Sequence, residues 1–205
     1  MDQSEPTGDP GTPAPPPTTP TAGWAAPPPP PVQAGPAGFV YADVPNRAIA
    51  LIIDWIALIV ISIIVGIVLV AIGLADAAFG ATDFGIGRII VTVIGLAVSA
   101  GYFIYTWTTM RGTVGMKVLG MQVGNAGDGK TLTTEQAFRR WIALGAPFSI
   151  GQLFGPLSGI GALIALLSIG WFIYLLWTTY SSPTKQGFHD KFANTMVVKA
   201  ARSAG

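Results

Sequence analysis

Apolar positions along this chain fall in long runs, not in the strict alternation or three-four spacing of a soluble protein. Ala48 to Leu74 is almost unbroken, Ile89 to Met110 is a second run, and Trp141 to Tyr180 is a third. A helix needs about 20 apolar residues to cross a hydrocarbon core roughly 30 Å thick. The first two runs therefore predict membrane spans at 48–74 and 89–110. The third is too long for one straight crossing at about 1.5 Å per residue. Gly155-Pro156-Leu157-Ser158-Gly159 interrupts it with turn-forming residues, so it predicts two spans, 138–154 and 160–180. The expected fold class is an all-α membrane protein, a bundle of about four transmembrane helices. Three spans is the alternative, with 141–156 lying in the interface.

The polar segments divide into three kinds. Residues 1 to 45 hold 14 of the 17 prolines. Proline fixes φ and removes a donor, and almost nothing there is large and apolar enough to build a core. Residues 1–40 are expected to be a disordered tail of polyproline II character, either a solvated spacer or a ligand for an aromatic-grooved domain. Residues 111–140 carry Arg111, Lys117, Lys130, Arg139 and Arg140 against Asp128 and Glu135, and the segment after Tyr180 carries Lys185, Lys191, Lys199 and Arg202 against Asp190. The 75–88 connection has Arg88 against Asp76 and Asp83. Basic loops stay cytoplasmic. Both basic segments are inside only if an even number of crossings separates them, which favours four spans with both termini cytoplasmic. The expected division is the tail at 1–40, a membrane domain at 41–199 and a short end at 200–205.

Composition narrows the chemistry. Hydrophobic residues make up 51% and charged residues 10%, against about 25% charged in soluble domains. There are no cysteines and one histidine, His189, so disulfides, thiol catalysis and cysteine-based metal sites are excluded. No metal site and no cofactor is expected. No basic segment followed by an apolar core opens the chain, so no cleavable signal peptide is expected. A net charge of +1 gives no reason to expect nucleic acid. Nor is an enzyme expected, because no nucleophile–base pair or metal set is visible.

Gly124-Asn125-Ala126-Gly127-Asp128-Gly129-Lys130-Thr131 matches the phosphate-loop pattern, but that chemistry needs a helix starting at the lysine. Here Thr133 and Gln136 form an apparent capping box several residues later. The expected structure is instead a small cytoplasmic hairpin, with strand character over Val114 to Val123 and a turn at Asp128-Gly129. The glycine-rich stretches Gly95 to Gly101 and Gly155 to Gly170 read as sites of close helix packing.

One residue breaks the first apolar run. A carboxylate inside a spanning helix costs on the order of 3 kcal/mol on insertion scales, and Asp54 is such a residue. Arg47, seven positions earlier, falls on the same helix face. Arg47 reads as an anchor at the cytoplasmic headgroups. Asp54 reads either as a buried acid hydrogen-bonded to a neighbouring helix or as a reversible proton or cation site. Asp190 is expected to pair with a cation at the membrane surface, and Arg47 is in reach.

Four elements together resemble the RDD family of bacterial membrane proteins: Arg47-Ala-Ile-Ala-Leu-Ile-Ile-Asp54, the glycine motif from Arg111 to Val123, the turn and basic helix start at Asp128-Gly129-Lys130 and Arg139-Arg140, and His189 to Val198. The resemblance runs from about Phe39 to Lys199. Asn194 stands where glycine is usual, and the 141–180 region is longer than in compact members. The proline-rich tail is similar to that of actinobacterial members described as proline-rich antigens. The resemblance implies that Arg47, Asp54 and Asp190 are the signature residues. It implies a multi-pass protein of the bacterial plasma membrane, with transport proposed for the family and cation/proton antiport for some members. The expected function is transport of an ion or small solute, coupled to protons through Asp54. The rival is a non-transporting scaffold or anchor whose tail and loop recruit partners. Expected partners are the lipid bilayer, a second copy or a partner membrane protein, and a protein ligand for the tail.

Overall fold

The computed structural model describes residues 35–73, 86–154 and 159–200. Outside the described residues lie most of the expected tail, the connection carrying Asp76 and Asp83, the turn after Phe154 and the last five residues.

Helix α1 runs Val44–Ala71, with Pro45 in its first turn where a missing N–H costs nothing. Helix α2 spans Ile86–Thr109, α4 Thr134–Phe154 and α5 Gly159–Ser181. Three stretches, Val44–Ala71, Ile89–Thr109 and Gly159–Ser181, are long and apolar enough to cross a membrane. Helix α4 is as long, but Glu135, Arg139 and Arg140 occupy its first turns, so its apolar stretch begins only at Trp141. It packs against both α2 and α5. The capping box at its start is formed: Thr133 N donates to Gln136 Oε1 at 3.1 Å, and Gln136 N to Thr133 Oγ1 at 3.2 Å.

Along α1 only Ala50 and Asp54 are buried. Ile59, Ile63, Ile67 and Ile72 are all more than half exposed, which in a spanning helix is the lipid-facing surface. The buried core instead gathers where the helices meet the polar segments, around Ala42, Ala50, Phe103, Trp107, Met116, Met121, Val123 and Val197.

Two expectations about the polar segments are corrected. Val114–Val118 is a short helix, α3, not a strand. The β-branched residues favour a strand, but Thr113 caps the turn by accepting from Met116 N at 3.2 Å, and the Gly115 amide is held by Asp54. A Cβ at Gly115 would lie 2.1 Å from the Ala50 carbonyl oxygen, so only glycine lets α3 close onto α1. Strand β2 begins at Met121 and ends at Asn125. The turn after it exists, with Gly129 at φ +67°, but no hairpin follows. The partner of β2 is β3, Thr195–Ala200, paired antiparallel with Val123 opposite Val197.

The second correction concerns the tail boundary. Pro36–Gly38 is a 3-10 turn and Phe39–Tyr41 a strand, β1, antiparallel to the far side of β3. Sheet order is β1-β3-β2, so segments from before α1, between α2 and α4, and after α5 form one hydrogen-bonded plate. Helix α6, Phe188–Phe192, leads into β3.

Of the glycines expected to mark close helix packing, Gly161 is buried in α5, but four others face open space. Added Cβ atoms at Gly95, Gly101, Gly159 and Gly170 would meet nothing within 4 Å.

Candidate functional site

Two acidic centres lie where the helices join the plate. The first is Asp54, buried on α1 at 2% exposure. Its Oδ1 accepts from the Tyr102 hydroxyl at 2.7 Å and from Gly115 N at 2.8 Å, and its Oδ2 accepts from the Thr113 hydroxyl at 2.6 Å. Both hydroxyls are themselves acceptors, Tyr102 from Val114 N at 3.3 Å and Thr113 from Met116 N at 3.2 Å. Each hydroxyl has one proton to give, and here it goes to Asp54. The carboxylate thereby ties α1 to α2 and to the first turn of α3.

The second centre is Asp190. It is the third residue of α6, where its Oδ2 accepts from Gly187 N at 3.1 Å. Arg47 Nη1 donates to the same oxygen at 2.5 Å, and Arg140 Nη1 donates to Oδ1. Arg140 Nη1 also reaches Thr195 Oγ1 at 2.6 Å, and its guanidinium lies over the Trp107 ring, 5.1 Å from the centroid. Arg47 Nε donates to the Ala42 carbonyl at 3.0 Å and its Nη2 to the Val197 carbonyl at 3.4 Å. One carboxylate thus joins α1, α4 and the α6–β3 segment, with Ala42, just after β1, and Val197 of β3 drawn in through their carbonyls. Burial would push Asp190 up, but the charges of Arg140 and Arg47 outweigh it and hold the carboxyl well below its usual range. His189 Nε2 is 3.5 Å from Asp190 Oδ2. Burial, reinforced by Arg140 and Arg47 and opposed by Asp190, lowers the imidazole to about 4, so it is neutral at pH 7.

The three residues singled out from sequence do not form one site. Arg47 and Asp190 meet; Asp54 has its own partners. A small cavity of about 60 Å³ lies between the centres, with Arg47, Asp54, Thr113, Arg140 and His189 among its lining residues. Its remaining walls are mostly apolar, including Leu51, Phe103, Trp107 and Leu175. Arg140 Nε and His189 Nδ1 are buried without a hydrogen-bond partner among the described residues.

Sequence reasoning missed Arg140, Tyr102 and Thr113 as site residues. Arg140 carried a readable signal: it shares a helix face with Ala137 and Leu144, whereas Arg139 lies four residues after Glu135 and pairs with it on the exposed face. The phosphate-loop match lies on β2 and its turn. Lys130 is exposed and 3.5 Å from Asp128, and the nearest helix, α4, starts at Thr134.

The family model of the RDD family matches residues 41–194, three quarters of the chain, from Tyr41 through α6. The chain belongs to the RDD family. No curated protein and no solved structure matches it. In this RDD protein the segment outside the match at the N-terminal side includes β1 up to Val40, which nonetheless pairs with β3.

Proposed function

We propose that this RDD protein is a non-enzymatic membrane scaffold of the bacterial plasma membrane, in which Asp54, Arg47 and Asp190 are fixed fastenings. The observation that carries this reading is that, among the described residues, each of the three groups hydrogen-bonded to Asp54 donates to it. A cation site needs oxygens that turn lone pairs inward. Around Asp54 the Gly115 N–H cannot turn, and both hydroxyls are oriented by the backbone amides they accept from. Asp190, between two guanidiniums, is likewise a closed unit. The fastenings hold a plate at the membrane face, and the proline-rich residues 1–34 serve as a docking segment for a protein partner.

The pairing of β2 with β3 supports four crossings. These strands are separated by α4 and α5 and hydrogen-bonded to each other, so an even number of crossings lies between them, as between β1 and β2. Helix α4 then crosses despite its charged start. The basic residues of these segments favour a cytoplasmic plate.

Ion or solute transport is the second reading, and the cavity between Asp54 and the Arg47–Arg140 layer is the observation that favours it. Flux separates the two. Purified full-length protein in liposomes, assayed with a panel of monovalent cations and a pH gradient, should give no flux above protein-free liposomes. Flux that is saturable and lost in Asp54→Asn would overturn the scaffold reading.

A further inference from the structure

Helix α6 does not hang free below the membrane. Phe188 N donates to Thr178 Oγ1 at 3.1 Å, and the Phe188 ring lies 5.5 Å from that of Trp171, edge-on, and 6.0 Å from that of Tyr174. Trp171 lies ten residues before the end of α5, about 15 Å along its axis. The short helix therefore folds back alongside the spanning helix at the depth where aromatic rings settle between headgroups and acyl chains. Phe192 continues the ladder, stacked on Phe188 at 6.0 Å with planes 14° apart. Both rings remain open to the surroundings.

Directly along the same face of α5 runs an apolar groove of about 700 Å³, lined by Ile164, Leu166, Leu167, Gly170, Trp171 and Tyr174 among others. Two of these residues, Trp171 and Tyr174, are the ones on which Phe188 rests. The groove and the aromatic ladder are thus one continuous surface. Lys191 stands three residues after Phe188, on the same side of α6, and is exposed. Its neighbour Asp190 is turned inward and fully committed to Arg47 and Arg140. Lys185, the other basic residue nearby, is occupied: its Nζ donates to the Tyr180 carbonyl at 3.0 Å and sits over the Tyr180 ring. Lys191 is therefore an exposed cation on the short helix whose Phe188 rests against this apolar face.

We propose that the α5 face from Ile164 to Tyr174, capped by Phe188 and Lys191, binds one anionic phospholipid, with an acyl chain along the groove and the headgroup phosphate on Lys191. The occupant follows from the order of the surface: apolar channel, aromatic collar, cation. A second protein copy would not require a cation at the collar. This site goes beyond the scaffold reading and does not depend on it.

Native mass spectrometry of the full chain in detergent, with phosphatidylglycerol and phosphatidylcholine offered at equal concentration, tests it. Phosphatidylglycerol adducts should outnumber phosphatidylcholine adducts several-fold. Lys191→Gln should bring the two to parity, while Lys117→Gln, an exposed cation on α3, should leave the preference intact. Gly170→Leu should reduce adducts of both lipids, because a side chain there meets no protein atom within 4 Å of its Cβ and fills the groove. All three changes are at exposed positions, and helicity by circular dichroism confirms that each variant is folded. Parity in the unaltered protein, a preference that survives Lys191→Gln or is equally lost in Lys117→Gln, or adducts unaffected by Gly170→Leu would each overturn the site.

Discussion

Arg47 reaches Asp190 across 143 positions of sequence, Nη1 to Oδ2 at 2.5 Å. The opposite oxygen of that carboxylate is held by Arg140. Two cations on one buried anion make the arrangement asymmetric, and the asymmetry governs how it breaks.

Exchanging the charges of Arg47 and Asp190 should fail to restore stability. A lone pair would tolerate the swap, but arginine at 190 would face Arg140, which is 2% exposed. Removing one partner of a buried pair costs about 3–5 kcal/mol, and each single reversal should reach at least that in detergent thermal unfolding. The double reversal should be no more stable than the worse single variant.

Stability should fall on acidification below neutrality, and His189 is responsible for the first part. Its folded value of about 4 lies below the unfolded 6.5, so the unfolded chain binds the proton first. The neutral imidazole's contribution is intact above 6.5 and is lost as pH falls towards 4, by roughly 2 kcal/mol between pH 7 and 5. Asp190 adds to the loss only lower down. Its folded value is depressed, so its contribution is intact above the unfolded carboxylate value near 3.8 and declines as pH falls below it. His189→Gln should flatten the slope between pH 7 and 5 and leave the loss below pH 4 in place, as read by melting temperature against pH.

Reporter fusions after Gly127 and after Gly205 should lie on one side of the membrane, and a fusion after Gly80 on the other. The sheet demands the first equality, because β2 and β3 are paired. Opposite sides for Gly127 and Gly205 would mean that α4 does not cross.

Removal of residues 1–34 should leave insertion and melting temperature unchanged, whereas extending the deletion through Tyr41 should lower it. The longer deletion takes away β1 and its pairing with β3. Similar melting for both deletions would show that β1 contributes nothing to the plate.

The spanning helices were legible because length and the near absence of charge leave few alternatives. Asp54 and Arg47 were legible as residues out of place, and Asp190 as a carboxylate needing a cation. What was hidden depended on contacts remote in sequence. Val114–Val118 is rich in strand formers, and its helix rests on Thr113 and on a carboxylate from α1. Strand β2 carries no mark of a partner some 70 residues away, and β1 is three residues at the edge of a proline-rich stretch. Arg140 was hidden beside Arg139: two adjacent arginines look alike until the helix face separates them.

The scaffold reading rests on Asp54 as a fixed acceptor for three donors. Melting of Asp54→Asn measures it most directly. An asparagine carbonyl can serve Tyr102 and Gly115, but its amide then faces Thr113, whose proton loses its acceptor. That is an unsatisfied buried group, worth about 1–3 kcal/mol, so the purified full chain should lose stability by that amount. A neutral, protonated Asp54 already presents one donor and one acceptor, as asparagine does, and would make the substitution silent. A melting temperature unchanged from that of the unaltered protein would therefore contradict the account.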